Sequence, residues 1–510
     1  MSNKLMALLV ACGMTFAALP LCVQAENKFE FFVEDSRDSY QNLPDYEYVN
    51  DEVSLMSDDS GTLLAFFDGE GTKENPYILS DVNDFTYLAV LVNIGNPSFT
   101  EAYYKLSNSI DFAGEDFIPI GKVVPALNAD GEEYDKEKYP FMGHLDGNGY
   151  SLKNITINSS ERVIGVFGIG YNASVENLRI ENITINAERD KTMHIGALFG
   201  RYEGNWNYDN LHITGCHVDG SIVSRGGLNV EVGGMIGKLD VMLGVSKINN
   251  CRVDVDINAV AATYQYAGGL IGNVATGGDI SKCVVTGSVY GEATGDASSY
   301  VGGITARLRF NDWIGVSSLA DEESAVLSDL QSYSKASNLV SANSLKAKAK
   351  YSLYLGNTIA QCFRSGDEVV TVSNCYYDKQ YEVVPTTNAY QGTGKTSSAL
   401  FNKSFLQNTV GLDFENTWTM VLDKPELIAK DPYIAYDLSD TVLTVQPVKC
   451  GDCKVIIAVY KDQRLVTSKV EKYTEGIPVP VSLNGLTYDN IRVFAMSDSL
   501  SPLCDSVTVK

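Results

Sequence analysis

The sequence predicts an all-β protein: a right-handed parallel β-helix (β-solenoid) followed by a small antiparallel β-sandwich. Two observations predict the solenoid. A glycine-rich phrase recurs through the middle of the chain, and between its copies apolar and polar residues alternate with a period of two, which is typical of strands. A third observation predicts the sandwich: after residue 436 the phrase is lost and short alternating runs follow one another, separated by turn residues.

The recurring phrase is clearest in Gly233-Gly234-Met235-Ile236-Gly237 and Gly268-Gly269-Leu270-Ile271-Gly272. Two earlier copies precede these, and a weaker one follows at residues 301–304. Each unit has one apolar face that it cannot bury alone, so we expect successive units to stack as parallel coils. We expect glycines at the coil corners, where a Cβ would clash or φ must be positive. The final glycines of the four main copies, 32 to 37 residues apart, are Gly168, Gly200, Gly237 and Gly272.

A second phrase follows each copy and places a small or apolar residue at a fixed position. In three successive coils this residue is a cysteine: Cys216, Cys251 and Cys283. We expect a ladder of buried small side chains. Disulfides along the ladder are the less favoured alternative, because in-register strands fit disulfide geometry poorly.

These phrases resemble the GLUG motif of bacterial surface proteins. Further stretches resemble the rest of that pattern in the expected order: an entry motif at residues 69–78, first coils at 104–149, and closing segments at 374–378 and 418–425. The resemblance covers residues 66 to 430 and implies a surface or secreted protein. Some proteins with this motif are zinc proteases with a His-Glu-x-x-His site. None of the four histidines here, at positions 144, 194, 212 and 217, begins such a motif.

The pattern divides the chain into four parts. Residues 1–25 read as a signal peptide cleaved after Ala25, with a lipoprotein attached at Cys12 as the less favoured alternative. Residues 26–60 read as an acidic flexible leader, 61–435 as the solenoid and 436–510 as the sandwich. The stretch from about 307 to 350 departs from the repeat and reads as an inserted helix or loop.

Composition narrows the class of partner. The chain has 39 Lys plus Arg against 64 Asp plus Glu, a net charge of −25, which disfavours nucleic acid and anionic membrane surfaces. Nothing after Ala25 is apolar over enough residues to span a membrane. The sequence leaves the oligomeric state open.

Two cysteine motifs suggest metal or redox chemistry only weakly. His212, Cys216 and His217 are close in sequence, but adjacent strand residues point to opposite faces, so we expect no metal site there. Cys450-Gly451-Asp452-Cys453 lacks a second CxxC, so we expect a hairpin turn with Cys504 as the candidate partner of one thiol. We expect no metal and no cofactor.

One loop is the predicted binding site. Trp206, Tyr208 and Asp209 combine aromatic rings with an acid among amides, a mixture suited to an extracellular glycan or a peptide, although a packed turn is the alternative. We therefore expect an exported, non-enzymatic, adhesin-like protein that binds host or cell-wall polymers. The alternatives are a carbohydrate-active enzyme, either a polysaccharide lyase or a glycoside hydrolase, on a β-helix scaffold, and a purely structural stalk.

Overall fold

The computed structural model describes residues 66–204, 212–241, 245–309, 334–362 and 370–509. It confirms the predicted fold class, a parallel β-helix followed by antiparallel sheets. The expected signal peptide and acidic leader lie outside the described residues.

The N-terminal part of the solenoid contains a helix that was not predicted. This helix, Val82–Asn93, begins with a capping box between Asp81 and Asp84 and buries its apolar face on the first coil. There the Phe85 ring lies 5.7 Å from the Phe112 ring. The elements of this part are, in order, β1 (Tyr77–Leu79), α1 (Val82–Asn93), α2 (Pro97–Thr100), β2 (Tyr103–Leu106), β3 (Ile110–Asp111), β4 (Lys122–Leu127), β5 (Glu133–Tyr139), β6 (His144–Asp146), β7 (Ser151–Lys153), β8 (Thr156–Ser159), β9 (Val163–Ile164) and β10 (Phe167–Tyr171).

Four coils of the same design follow. In each coil a short and a long strand join the first sheet, a third strand joins the second sheet and a fourth joins the third sheet. Neighbouring coils pair in parallel through all three sheets. The strands are, coil by coil, β11 (Ser174–Glu176), β12 (Arg179–Arg189), β13 (Met193–Gly196), β14 (Phe199–Gly204); β15 (His212–Thr214), β16 (His217–Gly226), β17 (Val230–Gly233), β18 (Ile236–Val241); β19 (Ser246–Asn249), β20 (Arg252–Ala261), β21 (Gln265–Gly268), β22 (Ile271–Thr276); β23 (Gly278–Ser281), β24 (Val284–Ala293), β25 (Ser298–Gly302) and β26 (Thr305–Leu308).

The last coils show that the predicted insertion is shorter than expected. Residues 334–349, which were assigned to it, form a solenoid strand that pairs in parallel with β24 over ten residues, because their alternating side chains continue the repeat. Residues 310–333 of the predicted insertion lie outside the described ranges. The elements here are β27 (Ser334–Ala349), β28 (Ser352–Gly356), β29 (Ile359–Cys362), β30 (Val370–Asp378), a 3₁₀ turn (Lys379–Tyr381) and β31 (Thr393–Lys395).

Residues 397–430, here called the closing segment, then run back across the outer face of the first sheet. Leu406 and Trp418 are fully buried there against Val284 and Val340. The segment consists of α3 (Ser397–Leu400), α4 (Lys403–Phe405), a π-helical turn (Leu406–Val410) and a hairpin of β32 (Trp418–Val421) with β33 (Lys424–Leu427).

The C-terminal domain is a sandwich of a three-stranded and a four-stranded antiparallel sheet. Its core is formed by alternate residues of both sheets, among them Leu443 and Val445 from one and Ile457 and Val493 from the other. The strands are β34 (Tyr433–Ser439), β35 (Val442–Val448), β36 (Cys453–Lys461), β37 (Arg464–Tyr473), β38 (Val479–Ser482), β39 (Asn490–Met496) and β40 (Val507–Val509).

This sandwich contacts early coils, although it follows the last coil in sequence. Asp505 lies 3.3 Å from Lys153 of β7. In the adjoining closing segment, the backbone N–H of Lys430 donates to the Gly149 carbonyl at 2.9 Å. The Arg179 guanidinium lies 5.9 Å from the centre of the Tyr433 ring. The closing segment therefore brings the C-terminal domain back towards the start of the stack.

The sharp corner of each coil carries a left-handed residue. In the first four coils it lies between the short and the long strand of the first sheet, and in the last two it lies inside β27 and β30. It is asparagine in four of six coils, because asparagine tolerates positive φ better than other non-glycine residues. One amide bonds the next along the row: Asn374 Nδ2 donates to Asn338 Oδ1 at 3.1 Å. The row, with φ between 51° and 63°, is Asn177, Gly215, Asn250, Lys282, Asn338 and Asn374.

Replacing Asn177 by valine should lower the free energy of unfolding by about 1–2 kcal/mol, since a β-branched residue is strained at positive φ. Asn177→Gly should be close to neutral, because Gly215 already occupies the same corner one coil later. Chemical unfolding of both variants measures the difference. Equal stabilities for the valine and glycine variants would contradict the strain argument.

The repeat glycines do not lie at the corners, contrary to the expectation. Gly168, Gly200, Gly237 and Gly272 lie inside third-sheet strands, pair with one another in register, and none has a positive φ. Glycine is required at these positions because the backbones of two sheets approach each other closely. A Cβ on Gly272 would lie 2.7 Å from both the N and the O of Val232 in the second sheet. The glycines let two sheets of the solenoid meet backbone to backbone.

The cysteine ladder is present as predicted. Cys216, Cys251 and Cys283 are at most 1 % exposed and occupy the same position in three successive coils. Leu339 takes this position in the next coil, and Cys375 takes it in the coil after that. All four are free thiols. Burial raises the pKa of Cys216 and Cys251 well above the usual value, and that of Cys375 to about 12. Cys216, Cys251 and Cys375 are therefore neutral, apolar filling of the core.

Candidate functional site

The predicted binding residues Trp206, Tyr208 and Asp209 lie outside the described residues. Their loop joins Gly204, the last residue of a third-sheet strand, to His212, the first residue of the next coil. The undescribed part of the predicted insertion also joins a third-sheet strand to a first-sheet strand. A role of either segment in binding stays a prediction.

The described surface shows a different candidate, a row of stacked tyrosines on the second sheet. Tyr266, Tyr300 and Tyr354 pair in register on β21, β25 and β28. Their ring centroids are 4.6 and 4.4 Å apart, with interplanar angles of 14° and 3°. The coil spacing of about 4.8 Å produces this stacking, because identical residues at one rung position align along the solenoid axis.

One exposed tyrosine extends the row, and a second precedes the strand that carries Tyr354. Tyr264, one residue before β21, is 44 % exposed, and its ring centroid lies 6.4 Å from that of Tyr266. Tyr351, one residue before β28, is 77 % exposed. We call the set Tyr264, Tyr266, Tyr300, Tyr351 and Tyr354 the tyrosine stripe. It combines a rigid stacked base with two solvent-facing rings, which can pack on a ligand at a small cost in side-chain entropy.

Hydrogen-bonding groups accompany the tyrosine stripe. The Arg307 guanidinium on the third sheet lies 5.6 Å from the Tyr266 ring centre. Burial raises the pKa of Tyr266 and of Tyr300, so both phenols remain protonated donors at neutral pH. Because Tyr266 and Tyr300 are each only 8 % exposed, the groups that a ligand can reach are the rings of Tyr264 and Tyr351 and the half-buried Tyr354 and Arg307.

A buried polar cluster lies beside the tyrosine stripe on earlier coils, where His194 and Glu231 are in register with Tyr266. His194 Nδ1 lies 2.8 Å from Glu231 Oε2, and Asn273 Nδ2 donates to Glu231 Oε1 at 2.9 Å. Burial alone would raise the pKa of Glu231, but its interactions with His194 lower it to about 2. Burial lowers the pKa of His194. Glu231 is therefore an ionised acceptor with both oxygens occupied, which is a structural role.

The β4–β5 hairpin supplies acidic groups to arginines on the early coils. Asp135 Oδ2 accepts from Arg201 Nη2 at 2.5 Å, and Glu133 pairs with Arg189. Burial alone would raise the pKa of Asp135, but Arg201 and its neighbours hold it below the usual value. Arg201 and Arg307 occupy the same position on different coils of the third sheet. The hairpin therefore covers, on the early coils, the position that Arg307 occupies on a later coil.

A second charged cluster lies under the closing segment. Arg252, 1 % exposed, is 3.2 Å from Glu426 and 3.1 Å from Asp254, and it donates to Thr286 Oγ1 at 2.7 Å. His217 Nδ1 lies 3.5 Å from the second oxygen of Glu426. Glu426 therefore holds the closing segment on the first sheet through Arg252 and His217, so this cluster is a clamp inside the fold.

The polar crevice beside the closing segment is a packing feature. It has a volume of about 270 Å³, and the Asp146 carboxylate and Arg179 line it. Asp146 accepts from Lys105 Nζ at 2.9 Å and from the Asn148 N–H at 2.8 Å, and Arg179 donates to Glu181 and to the Leu427 carbonyl. The charged groups of this crevice are thus already paired.

Cys216 and His217 point to opposite sides of the first sheet. The thiol of Cys216 faces the interior and lies 3.5 Å from the Val175 carbonyl, whereas His217 lies against Glu426 outside the first sheet. Over the ranges described above, no group of three or more His, Cys, Asp or Glu side chains is arranged to hold a metal ion.

The tyrosine stripe was missed from the sequence, although a signal was present. Each of the three stacked tyrosines lies two residues before the first glycine of a repeat phrase, as in Tyr266-Ala267-Gly268, Tyr300-Val301-Gly302 and Tyr354-Leu355-Gly356. The third copy falls just after the stretch that the sequence predicts to be an insertion, which separates it from the regular series of repeats.

Comparisons with known proteins agree with the repeat. The family model of the GLUG motif matches residues 263–290, which contain the start of the tyrosine stripe. A protein of Evansella cellulosilytica described as a Gly-rich membrane protein is 33 % identical over 141 residues, 27 % of this chain and 15 % of the relative. Halomucin of Haloquadratum walsbyi is 28 % identical over 183 residues, 34 % of this chain and 2 % of the relative.

The chain thus matches only a small part of each of these longer relatives. In the part of the chain described here, no helix combines the length and the apolarity needed to cross a bilayer. The names of the relatives are those of surface-type proteins, and the matched motif lies within the regular coils. The coil formed by residues 263–290 therefore carries a GLUG motif.

Proposed function

We propose that this chain is an exported, non-enzymatic surface-interaction protein that binds an extracellular glycan through the tyrosine stripe. The observation that carries the proposal is the exposed Tyr264 ring against the stacked Tyr266, Tyr300 and Tyr354, with the exposed Tyr351 just before the strand of Tyr354. Aromatic faces flanked by hydroxyls and a cation are suited to sugar rings, which present C–H faces and hydroxyl edges.

The solenoid explains why such a site can be effective with modest contacts. Parallel pairing fixes the tyrosines across successive coils, so their positions are set before a ligand arrives. A polymer with repeated sugar units can then engage several rings at once, and each further contact forms at a high effective concentration. This supports an adhesin-like role better than capture of a small free metabolite.

Export is part of the proposal. The surface-type names of the relatives support an extracellular or cell-surface location, and the residues before Ala25 fit a signal peptide cleaved after that residue. Fractionating cells and medium, with N-terminal sequencing of the mature chain, tests it. A mature chain that retains Met1 in the cytoplasm would contradict export.

Changing Tyr264 and Tyr351 together to alanine should weaken glycan binding by roughly 10- to 100-fold, since each exposed ring contributes about 0.5–1.5 kcal/mol beyond its buried area. Host, mucin, plant and bacterial glycan arrays would identify a ligand, and titration would then measure the loss. Tyr436→Ala is the matched control, because this tyrosine is 43 % exposed but lies in the C-terminal sandwich. Equal binding by all three proteins would remove the stripe from the proposal.

Two further measurements separate the alternatives. Trp206→Ala tests the predicted loop: loss of binding in this variant alone would transfer the site to that loop. Incubation with the same glycans tests for turnover. Product formation that is abolished by a single Asp or Glu substitution would overturn the non-enzymatic assignment. Absence of binding to any glycan or host protein would favour a structural stalk.

A further inference from the structure

The C-terminal sandwich holds three cysteines in one small region, and two of them are close together. Cys450 lies in the turn between β35 and β36, Cys453 begins β36, and Cys504 precedes β40. The sulfurs of Cys450 and Cys504 are 3.8 Å apart, whereas Cys453 is 5 % exposed and packs in the core between the two sheets.

We propose that Cys450 and Cys504 are a disulfide-forming pair, with Cys453 as a core thiol that stays reduced. The two sulfurs must approach by about 1.8 Å to reach bonding distance, a movement that side-chain rotation can provide. Both residues are half-buried at the edge of the core, where the turn and the segment before β40 meet. The CxxC spacing of Cys450 and Cys453 is therefore not a redox pair of its own.

The oxidant is a disulfide, either a low-molecular-weight one or that of a thiol oxidoreductase. The Cys450 thiolate attacks it, forms a mixed disulfide and releases one thiol. The Cys504 sulfur then attacks the Cys450 sulfur and releases the second thiol. Two S–H bonds are broken and one S–S bond is formed, and the oxidant receives both electrons and both protons. This proposal rests on the proposed export in one respect only: export would bring the thiols into contact with an oxidant in the cell.

The bond would tie together parts of the domain 54 residues apart in sequence. Such a link removes conformational freedom from the unfolded chain. Cys504 also precedes Asp505, whose carboxylate meets Lys153 of the solenoid. Oxidation would therefore restrain the segment through which the sandwich contacts the early coils.

The ladder cysteines provide an internal control. Cys216, Cys251, Cys283 and Cys375 are as close to fully buried as Cys453, and neighbouring ladder thiols are held on in-register strands, a geometry that disfavours bonding. They should stay reduced in the same sample in which Cys450 and Cys504 are oxidised.

The test is staged alkylation of the full chain after incubation with oxidised glutathione. Thiols are labelled first in the native state, then after unfolding, and finally with a third reagent after reduction, and each label is located by peptide mass spectrometry. Cys450 and Cys504 should carry only the third label and appear as one cross-linked peptide without reduction. The ladder cysteines and Cys453 should carry the second label.

Two variants complete the test. Cys453→Ser should retain the cross-linked peptide, whereas Cys504→Ser should leave Cys450 open to the first label. A bond from Cys453 to either neighbour would overturn the proposal. So would a sample in which Cys450 and Cys504 remain thiols after oxidation. Neither result would affect the test of glycan binding, which is measured with different residues.

Discussion

Replacing Gly272 by valine should lower the free energy of unfolding by about 3–5 kcal/mol, because the new side chain has no space between the second and third sheets. A Cβ at this position would lie 2.6 Å from the Gly237 carbonyl oxygen and 2.7 Å from the Val232 backbone. These are backbone atoms held by parallel pairing on both sides, so the sheets must separate to admit it. Urea unfolding followed by circular dichroism measures the loss.

The next coil offers a matched control. Ala306 stands at the rung of Gly272 in the adjacent strand, where the backbone has room for a methyl group. Ala306→Gly should cost only about 1 kcal/mol, through the added freedom of the unfolded chain and the lost methyl packing. A Gly272→Val variant as stable as Ala306→Gly would show that the sheets can separate at little cost.

Removing the Glu426 carboxylate should destabilise the chain by about 3 kcal/mol, because Arg252 would keep its charge in a buried position with one fewer acidic partner. The Glu426→Ala variant also removes the acid beside His217. We expect faster proteolysis of the closing segment together with a lower unfolding midpoint, since this carboxylate holds β33 on the first sheet.

An exposed ion pair is the control for this prediction. Lys461 and Asp489 are 2.5 Å apart, but both side chains are 41 % exposed, so Asp489→Asn should cost less than about 1 kcal/mol. Combining Glu426→Ala with Arg252→Met should recover part of the loss, because it also removes the buried charge. A double variant less stable than Glu426→Ala alone would show that Arg252 contributes mainly through Asp254 and Thr286.

Much of the solenoid could be predicted because its rules are local. The phrase that ends in Gly237 and Gly272 repeats at nearly constant spacing, and alternation identifies the strands between the copies. The role of those glycines was harder to predict, because a glycine needed for positive φ and one needed for close approach look alike in a sequence. In the structure the residues of the Asn177 row have positive φ, whereas the repeat glycines lie where a Cβ would clash with neighbouring backbone atoms.

The contacts that could not be predicted are those between residues far apart in sequence. The pairing of Glu426 with Arg252 joins residues 174 positions apart, and no local pattern indicates it. The helix Val82–Asn93 does have a local signal, a capping box before an apolar run, but the period-two alternation that identifies the strands does not reveal it. The predicted boundary of the insertion was wrong at residues 334–349, because no glycine phrase marks β27 itself.

The candidate site shows the same limit. Tyr266, Tyr300 and Tyr354 look like ordinary strand residues until parallel register stacks them, since their spacing along the chain is irregular. An aromatic loop such as that of Trp206 attracts notice because it interrupts the repeat. Residues that follow the repeat can form an equally distinctive surface, and the register between coils is needed to see it.

A stack of coils that touch only their neighbours can fray from either end, one unit at a time. The closing segment changes this behaviour. It lies on Val340 of a late coil and Asn250 of a middle coil before it reaches Gly149 near the start. Unfolding of the last coil would therefore also loosen the closing segment from the first coils. We expect the solenoid to resist mechanical force and proteolysis as one cooperative unit.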